Sequence, residues 1–292
     1  MQPTFEPGLR LGKYTVVAPL GRGGMGGVWE VRDDDGNTFA IKSPASGMNP
    51  AAEATKRFAR EANALGMLDH PNLVAAVEVF VEAGFLFLVM ERVHGRTLTK
   101  HMADGPIAPR RALVIARQLL EGVGHAHEQG LVHRDLKPDN IMLVDMGGWE
   151  RAKIVDFGLV KLIGEAEAAM GGGKLTTTGL VFGTPAYMSP EQALGKPIDG
   201  RTDLYAVATI LFEMLTGRVP FDHADPMMQM RMQAKAPPPR LDMLAKNQPW
   251  CTPQLIVLID AALAKDPDHR FPSAKVMIAA LDDAFLSLDA AI

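Results

Sequence analysis

The sequence predicts an α+β fold in two lobes: a small antiparallel-sheet lobe with one key helix over residues 12–93, and a larger, mostly helical lobe over residues 94–288. Three observations carry this expectation. Residues 14–41 hold short β-favouring segments separated by Gly-rich and Asp-rich turns, and a single helical stretch starts at Asn49 and Pro50. Beyond a break at Glu91, Arg92, Val93, His94 and Gly95, the apolar residues recur at helical spacing. A chain of 292 residues is long enough for two such cores.

In the small lobe the pattern predicts strands at 14–20, 28–32 and 38–41, with Asp34, Asp35, Gly36 and Asn37 as a hairpin turn. Between the first two strands lies the run Gly21, Arg22, Gly23, Gly24, Met25, Gly26, Gly27, Val28. A glycine loop that opens a helix marks a dinucleotide site or a P-loop. This one opens a strand, so it reads as a β-hairpin whose bare backbone can lie over phosphates. Taken alone, the motif fits a purely structural turn equally well.

Asn49 as cap and Pro50 at the first helical position start a helix that runs to about residue 68. Its 3.6-residue spacing puts Phe58, Glu61, Leu65 and Leu68 on one face. A carboxylate on an apolar stripe calls for a cationic partner, because burying it alone is costly. Solvation at the stripe's edge is the simpler alternative. Strands at 73–80 and 85–90 complete the sheet.

In the larger lobe, residues 110–129 form an amphipathic helix with Leu113, Ala116, Leu120 and Val123 inward. Then comes His133, Arg134, Asp135, Leu136, Lys137, Pro138, Asp139, Asn140, where acid, cations, an amide and a rigid Pro meet. Two apolar runs around a turn at Gly147 and Gly148 follow, the second ending in Asp156, Phe157 and Gly158. A loop feeding a hairpin leaves two carboxylates and one amide able to converge. A carboxylate that takes a hydroxyl proton, a Lys beside it, and an Asn and a second Asp for hard cations are what terminal phosphoryl transfer requires.

The longest apolar stretch, 204–215, is interrupted by Glu213 and is too short for a bilayer, which takes about 20 residues. It reads as a buried helix. The run Met227, Met228, Met230 and Met232 reads as packing under a surface segment, and Pro237, Pro238 and Pro239 as a surface connector. A hydrophobic fraction of 47% excludes a disordered chain, and a net charge of -4 gives no support for nucleic acid as a partner. One cysteine, Cys251, and no basic-then-apolar leader predict a cytoplasmic chain, free-standing or the cytosolic domain of a longer protein.

The order of these motifs resembles the eukaryotic-like, or Hanks-type, serine/threonine protein kinases, and through Gly21 to Val28 their bacterial branch. The glycine loop, Ala40-Ile41-Lys42, a helix carrying Glu61, His133-Arg134-Asp135 with Asn140, Asp156-Phe157-Gly158 and Ser189-Pro190-Glu191 follow in the order that family uses. The resemblance covers about residues 12–280. It implies ATP and Mg2+, with Mn2+ as an alternative, and protein Ser/Thr hydroxyls as substrate.

In that template Lys42, aimed by Glu61, contacts the α- and β-phosphates under the loop of Gly21, Arg22, Gly23, Gly24, Met25, Gly26 and Gly27. Asn140 and Asp156 hold the metal. Asp135 takes the hydroxyl proton, and Lys137 offsets phosphoryl charge. Lys137 also favours Ser/Thr over Tyr substrates. Val28, Ala40 and Met142 sandwich the adenine, Met90 stands behind it, and backbone groups of Glu91 and Val93 bind its edge.

The resemblance further implies phosphorylation of the activation segment at Thr178, then Thr176 and Thr177, read by Arg134 and Lys161, with Thr184 touching Asp135. It pairs Glu191 with Arg270 and sets Asp203 as a cap for the backbone at His133 and Arg134. Ala208 stands where the family usually has Gly, which predicts a slightly looser helix contact. Similar bacterial kinases form homodimers through the small lobe, and that mode carries over as an expectation.

Overall fold

The computed structural model describes residues 5–23, 26–42, 66, 68–82, 85–156, 184–246 and 248–291. They fall into two compact units, one reaching His94 and one starting at Gly95. The predicted helix from Asn49 with Glu61, the loop residues Gly24 and Met25, Phe157, Gly158, Lys161 and the threonines Thr176, Thr177 and Thr178 lie outside the described residues.

The first unit is an antiparallel sheet of β1 (Arg10–Leu11), β2 (Tyr14–Gly23), β3 (Gly26–Arg32), β4 (Thr38–Lys42), β5 (Ala76–Glu82) and β6 (Phe85–Glu91), in the order β1-β2-β3-β4-β6-β5. Period-two alternation sorts its side chains. Val16, Trp29, Val31, Ile41, Phe87 and Val89 form one buried cluster with Leu11 and Tyr14. Phe5 covers that cluster, with its ring centroid 5.4 Å from that of Trp29. The β3–β4 turn is tied by the Asp33 carboxylate, which accepts from the backbone of Asp35 and Asn37 and from the Asn37 amide at 2.8–3.0 Å.

Strand β5 starts at Ala76, three residues later than its apolar run suggests. Asn72 and Leu73 are buried in the turn that precedes it, where the Leu73 N–H donates to the His70 carbonyl at 3.0 Å. Apolar content marks burial here and not extension.

The second unit is mainly helical: α1 (Leu98–Met102), α2 (Pro109–Glu128), α3 (Pro190–Ala193), α4 (Arg201–Thr216), α5 (Pro226–Lys235), α6 (Leu241–Leu244), α7 (Pro253–Ala262) and α8 (Ala274–Ala291). Helix α2 buries Leu113, Ala116, Leu120 and Val123 as its spacing predicts. Helix α4 is mostly apolar and buries nearly its whole surface, Ala208 and the charged Asp203 included, which makes it the axis of the unit. It stops at Gly217, whose φ of 74° is the left-handed cap that glycine adopts without strain.

A small sheet of β7 (Arg96–Thr97), β8 (Ile141–Asp145) and β9 (Glu150–Ile154) completes the unit. Gly95, just before β7, admits no side chain, because a Cβ there would run into the Leu143 carbonyl.

The methionine reading is corrected by α5 at Met227 and Met228, while Met230 and Met232 are half-buried. Met227 and Met228 are exposed, while Gln229 and Gln233 are the buried residues of the helix. The reason is hydrogen bonding. Gln229 donates to the Phe221 carbonyl at 3.0 Å, and Gln233 donates to the carbonyls of Pro185 at 3.1 Å and Ala186 at 2.6 Å.

Candidate active site

In the first unit, strand register gathers the predicted nucleotide contacts on one face. Gly21, Arg22 and Gly23 of β2 pair with Val28, Gly27 and Gly26 of β3, so the glycine run is a hairpin. Val28 pairs with Lys42 and Lys42 with Leu88. In the next row Glu30 pairs with Ala40 and Ala40 with Met90. Directly opposed residues share a face, so Val28, Ala40, Lys42 and Met90 form one patch, opposite the Trp29, Ile41 and Val89 core. The Glu91 N–H is committed to the Ala75 carbonyl at 2.9 Å, and the Glu91 carboxylate accepts from the Ala75 N–H at 2.9 Å. Arg92 ties the following turn by donating to Glu30 at 3.0 Å and to the Val93 carbonyl at 2.6 Å.

In the second unit, the loop from His133 to Asn140 is fastened to α4 through Asp203. Its buried carboxylate accepts from the backbone N–H of His133 at 2.8 Å and of Arg134 at 2.9 Å, and it sits 2.8 Å from His127 Nε2. Burial alone would raise the Asp203 pKa. The His127 imidazole and these N–H donors outweigh it and hold the carboxyl below its ordinary range.

From this anchor the functional groups follow. The Asp135 N–H donates to His133 Nδ1 at 3.2 Å, and Lys137 Nζ lies 3.3 Å from Asp135 Oδ2. Asn140 closes the short turn Pro138–Asn140 and donates its amide to the Asp135 carbonyl at 2.9 Å. The Asn140 carbonyl accepts from Val155 at 2.9 Å, which sets Asp156 beside Asn140 at the open end of the β8–β9 hairpin. Burial depresses the His133 pKa, while the charges of Asp203, Asp156 and Asp135 act on its ring in the opposite sense. Met142 lies in β8 and pairs with Thr97.

The donor set suits a hard cation. Among the described residues no three His, Cys, Asp or Glu side chains form a metal cluster. Asn140 and Asp156 offer two oxygen-bearing side chains, and an oxygen-loving cation that keeps water and phosphate ligands needs no more from the protein.

Past the segment, Thr184 is exposed and heads the turn Pro185–Tyr187. Glu191 pairs with Arg270 through two hydrogen bonds of 2.8 and 2.7 Å, both side chains being buried, and it also accepts from Thr202 at 2.8 Å. Residue patterns missed His127, Gln192 and Gln233. Ser189 followed three residues later by Gln192 is a capping-box signal that sequence does carry. The tertiary bonds of all three have no local signal.

A family model described as protein kinase domain matches residues 14–280. The chain belongs to the protein kinase domain family. It is 37% identical over 280 residues to serine/threonine-protein kinase pkn2 of Myxococcus xanthus, across 96% of this chain and 33% of that protein. It is also 37% identical over 279 residues to PrkC of Bacillus subtilis, across 94% of this chain and 41% of that protein. This kinase domain thus spans between a third and about two fifths of the length of these curated relatives. The PknI kinase domain of Mycobacterium tuberculosis shares its fold with a TM-score of 0.74 at 26% identity, over 96% of this chain and 100% of that one.

The antiparallel-sheet unit and the helical unit are the two lobes expected of the protein kinase fold. The family works with ATP and a divalent metal. Among the described residues no helix is long and apolar enough to cross a membrane.

Proposed function

We propose that this kinase domain transfers the γ-phosphoryl group of ATP to serine and threonine hydroxyls of proteins, with Mg2+ as its metal and Mn2+ as an alternative, in a cytoplasmic setting. The observation that carries the reading is the convergence of Asp135, Asn140 and Asp156 at the end of one hairpin, with Lys137 against Asp135. Residues 12–93 and 94–288 are taken as its two lobes, and the small lobe as a candidate homodimer surface.

The nucleotide and its cation supply the phosphoryl group and the positive charge that screens it. Asp135 orients the acceptor hydroxyl and takes its proton, and Lys137 offsets charge on the phosphoryl oxygens. Asn140 and Asp156 hold the cation, and Lys42, aimed by Glu61, fixes the α- and β-phosphates. The Glu91 carbonyl and the Val93 N–H orient the adenine edge.

Incubation with labelled ATP and Mg2+ should label wild type and leave Asp135→Asn at background, a loss of at least 100-fold. Equal incorporation would remove Asp135 from the reaction. Mapping the label tests regulation: phosphate at Thr178, with Thr176 and Thr177 next, should accompany a rise in rate. An unchanged rate after alanine replacement of all three would end that part of the reading.

A further inference from the structure

Arg134 has a φ of 67°, and it is the one non-glycine residue with positive φ among the described residues. A residue with a Cβ loses about 1–2 kcal/mol in that conformation, so neighbouring groups must hold it. Asp203 holds its N-terminal side through the N–H groups of His133 and Arg134. The peptide plane between Arg134 and Asp135 is held separately. Its N–H donates to His133 Nδ1 at 3.2 Å, and its carbonyl accepts from Gln192 Nε2 at 2.7 Å.

Gln192 is itself fixed. As the third residue of α3 it closes a capping box, with Oε1 accepting from the Ser189 N–H at 3.0 Å and its own N–H donating to Ser189 Oγ at 3.4 Å. This assigns the amide without ambiguity. An N–H faces one end and a carbonyl faces the other, so oxygen points to Ser189 and nitrogen to Arg134. The preceding residue, Glu191, is clamped by Arg270.

We propose that Gln192 is a positioning residue for Asp135: it pins the peptide plane that aims the Asp135 side chain and thereby joins the end of the activation segment to the catalytic loop. The proposal rests on the kinase reading above. It goes beyond the cap of α3, because the cap uses only the oxygen of the amide.

Gln192→Glu separates the two roles. Glutamate keeps the capping oxygen but places a second oxygen against the Arg134 carbonyl, so the cap survives and the pin is lost. At pH 7.5 the rate at saturating ATP should fall at least ten-fold, with KM for ATP within two-fold of wild type and the variant folded at the assay temperature. Protonating the new carboxyl restores an O–H donor to the Arg134 carbonyl. The ratio of variant to wild-type rate should therefore climb as pH falls towards 5, a response that loss of structure would not give.

If wild type transfers phosphate, Asp135→Asn does not, and Gln192→Glu matches wild type, the kinase reading stands and the positioning role falls. The role also falls if the variant's deficit is flat with pH. Equal labelling of wild type and Asp135→Asn removes the kinase reading instead. Should Gln192→Glu be unfolded at the assay temperature, Gln192→Met, which fills similar volume without an opposing oxygen, takes its place. A rate within two-fold of wild type in that folded variant overturns the proposal, and a ten-fold fall at constant KM supports it.

Discussion

Glu191 and Arg270 are 5% exposed each, so neither charge has water to fall back on. Burial pushes the Glu191 pKa up, and the Arg270 guanidinium with its two parallel hydrogen bonds more than offsets it, leaving the carboxyl below its usual range. Arg270 also donates to the carbonyls of Ala264 at 2.7 Å, Lys265 at 3.1 Å and Arg201 at 3.3 Å, which ties three segments to one side chain. Removing one partner strands the other charge. Arg270→Leu should therefore cost about 3–5 kcal/mol of unfolding free energy, and Glu191→Leu a similar amount. The double replacement should cost clearly less than the sum, because no lone charge remains. Urea denaturation of the four proteins measures this, and strict additivity would show that the pair does not act as a unit.

Helix α5 shows how a run of apolar residues can be misread in orientation. Asp225 caps it ahead of Pro226, and Met227 and Met228 are exposed, Met230 and Met232 half-buried, and Gln229 and Gln233 buried. The rule that apolar side chains are buried runs one way only, and a buried amide is chosen by carbonyls far along the chain. Gln233 serves Pro185, Ala186 and the Tyr205 hydroxyl, none within 25 residues of it, so no local pattern could announce it. The glycine hairpin, α2 and α4 were legible because spacing within each element decides them. The energetic consequence separates the two faces of α5. Met227→Ser should change stability by no more than about 0.5 kcal/mol. Gln233→Leu, which leaves two buried carbonyls and a hydroxyl without its amide, should cost about 2–4 kcal/mol. Equal costs measured by thermal unfolding would return the methionines to the core.

At the scale of the whole molecule, motif order in the sequence named the family and most of the loop that carries Asp135, because the motifs follow one another in a fixed order and spacing. It also named the Glu191–Arg270 pair and the Asp203 cap, but not the frame groups outside the motifs, of which Lys265 is the clearest. Its ammonium donates to the Gln233 carbonyl at 2.7 Å and lies 3.8 Å from the Phe221 ring centroid. Burial first, and then the charge of Arg270, push its pKa down to about 7. The unfolded chain keeps a lysine near 10.5, so between pH 7 and 10.5 the unfolded state holds a proton that the folded state lacks. Stability must therefore rise with pH through that window, and the full cost of the buried cation stands below pH 7. Tyr187, Tyr205 and Cys251, whose pKa values are raised by burial, act in the opposite sense near and above pH 9. The difference between wild type and Lys265→Met cancels them. Because the two units need not unfold together, the measurement belongs in a Trp29→Phe background, where Trp149 and Trp250 report on the second unit alone. Between pH 7 and 9 the lysine protein should gain unfolding free energy relative to the methionine variant, and parallel curves for the two would show that Lys265 keeps its proton across the range.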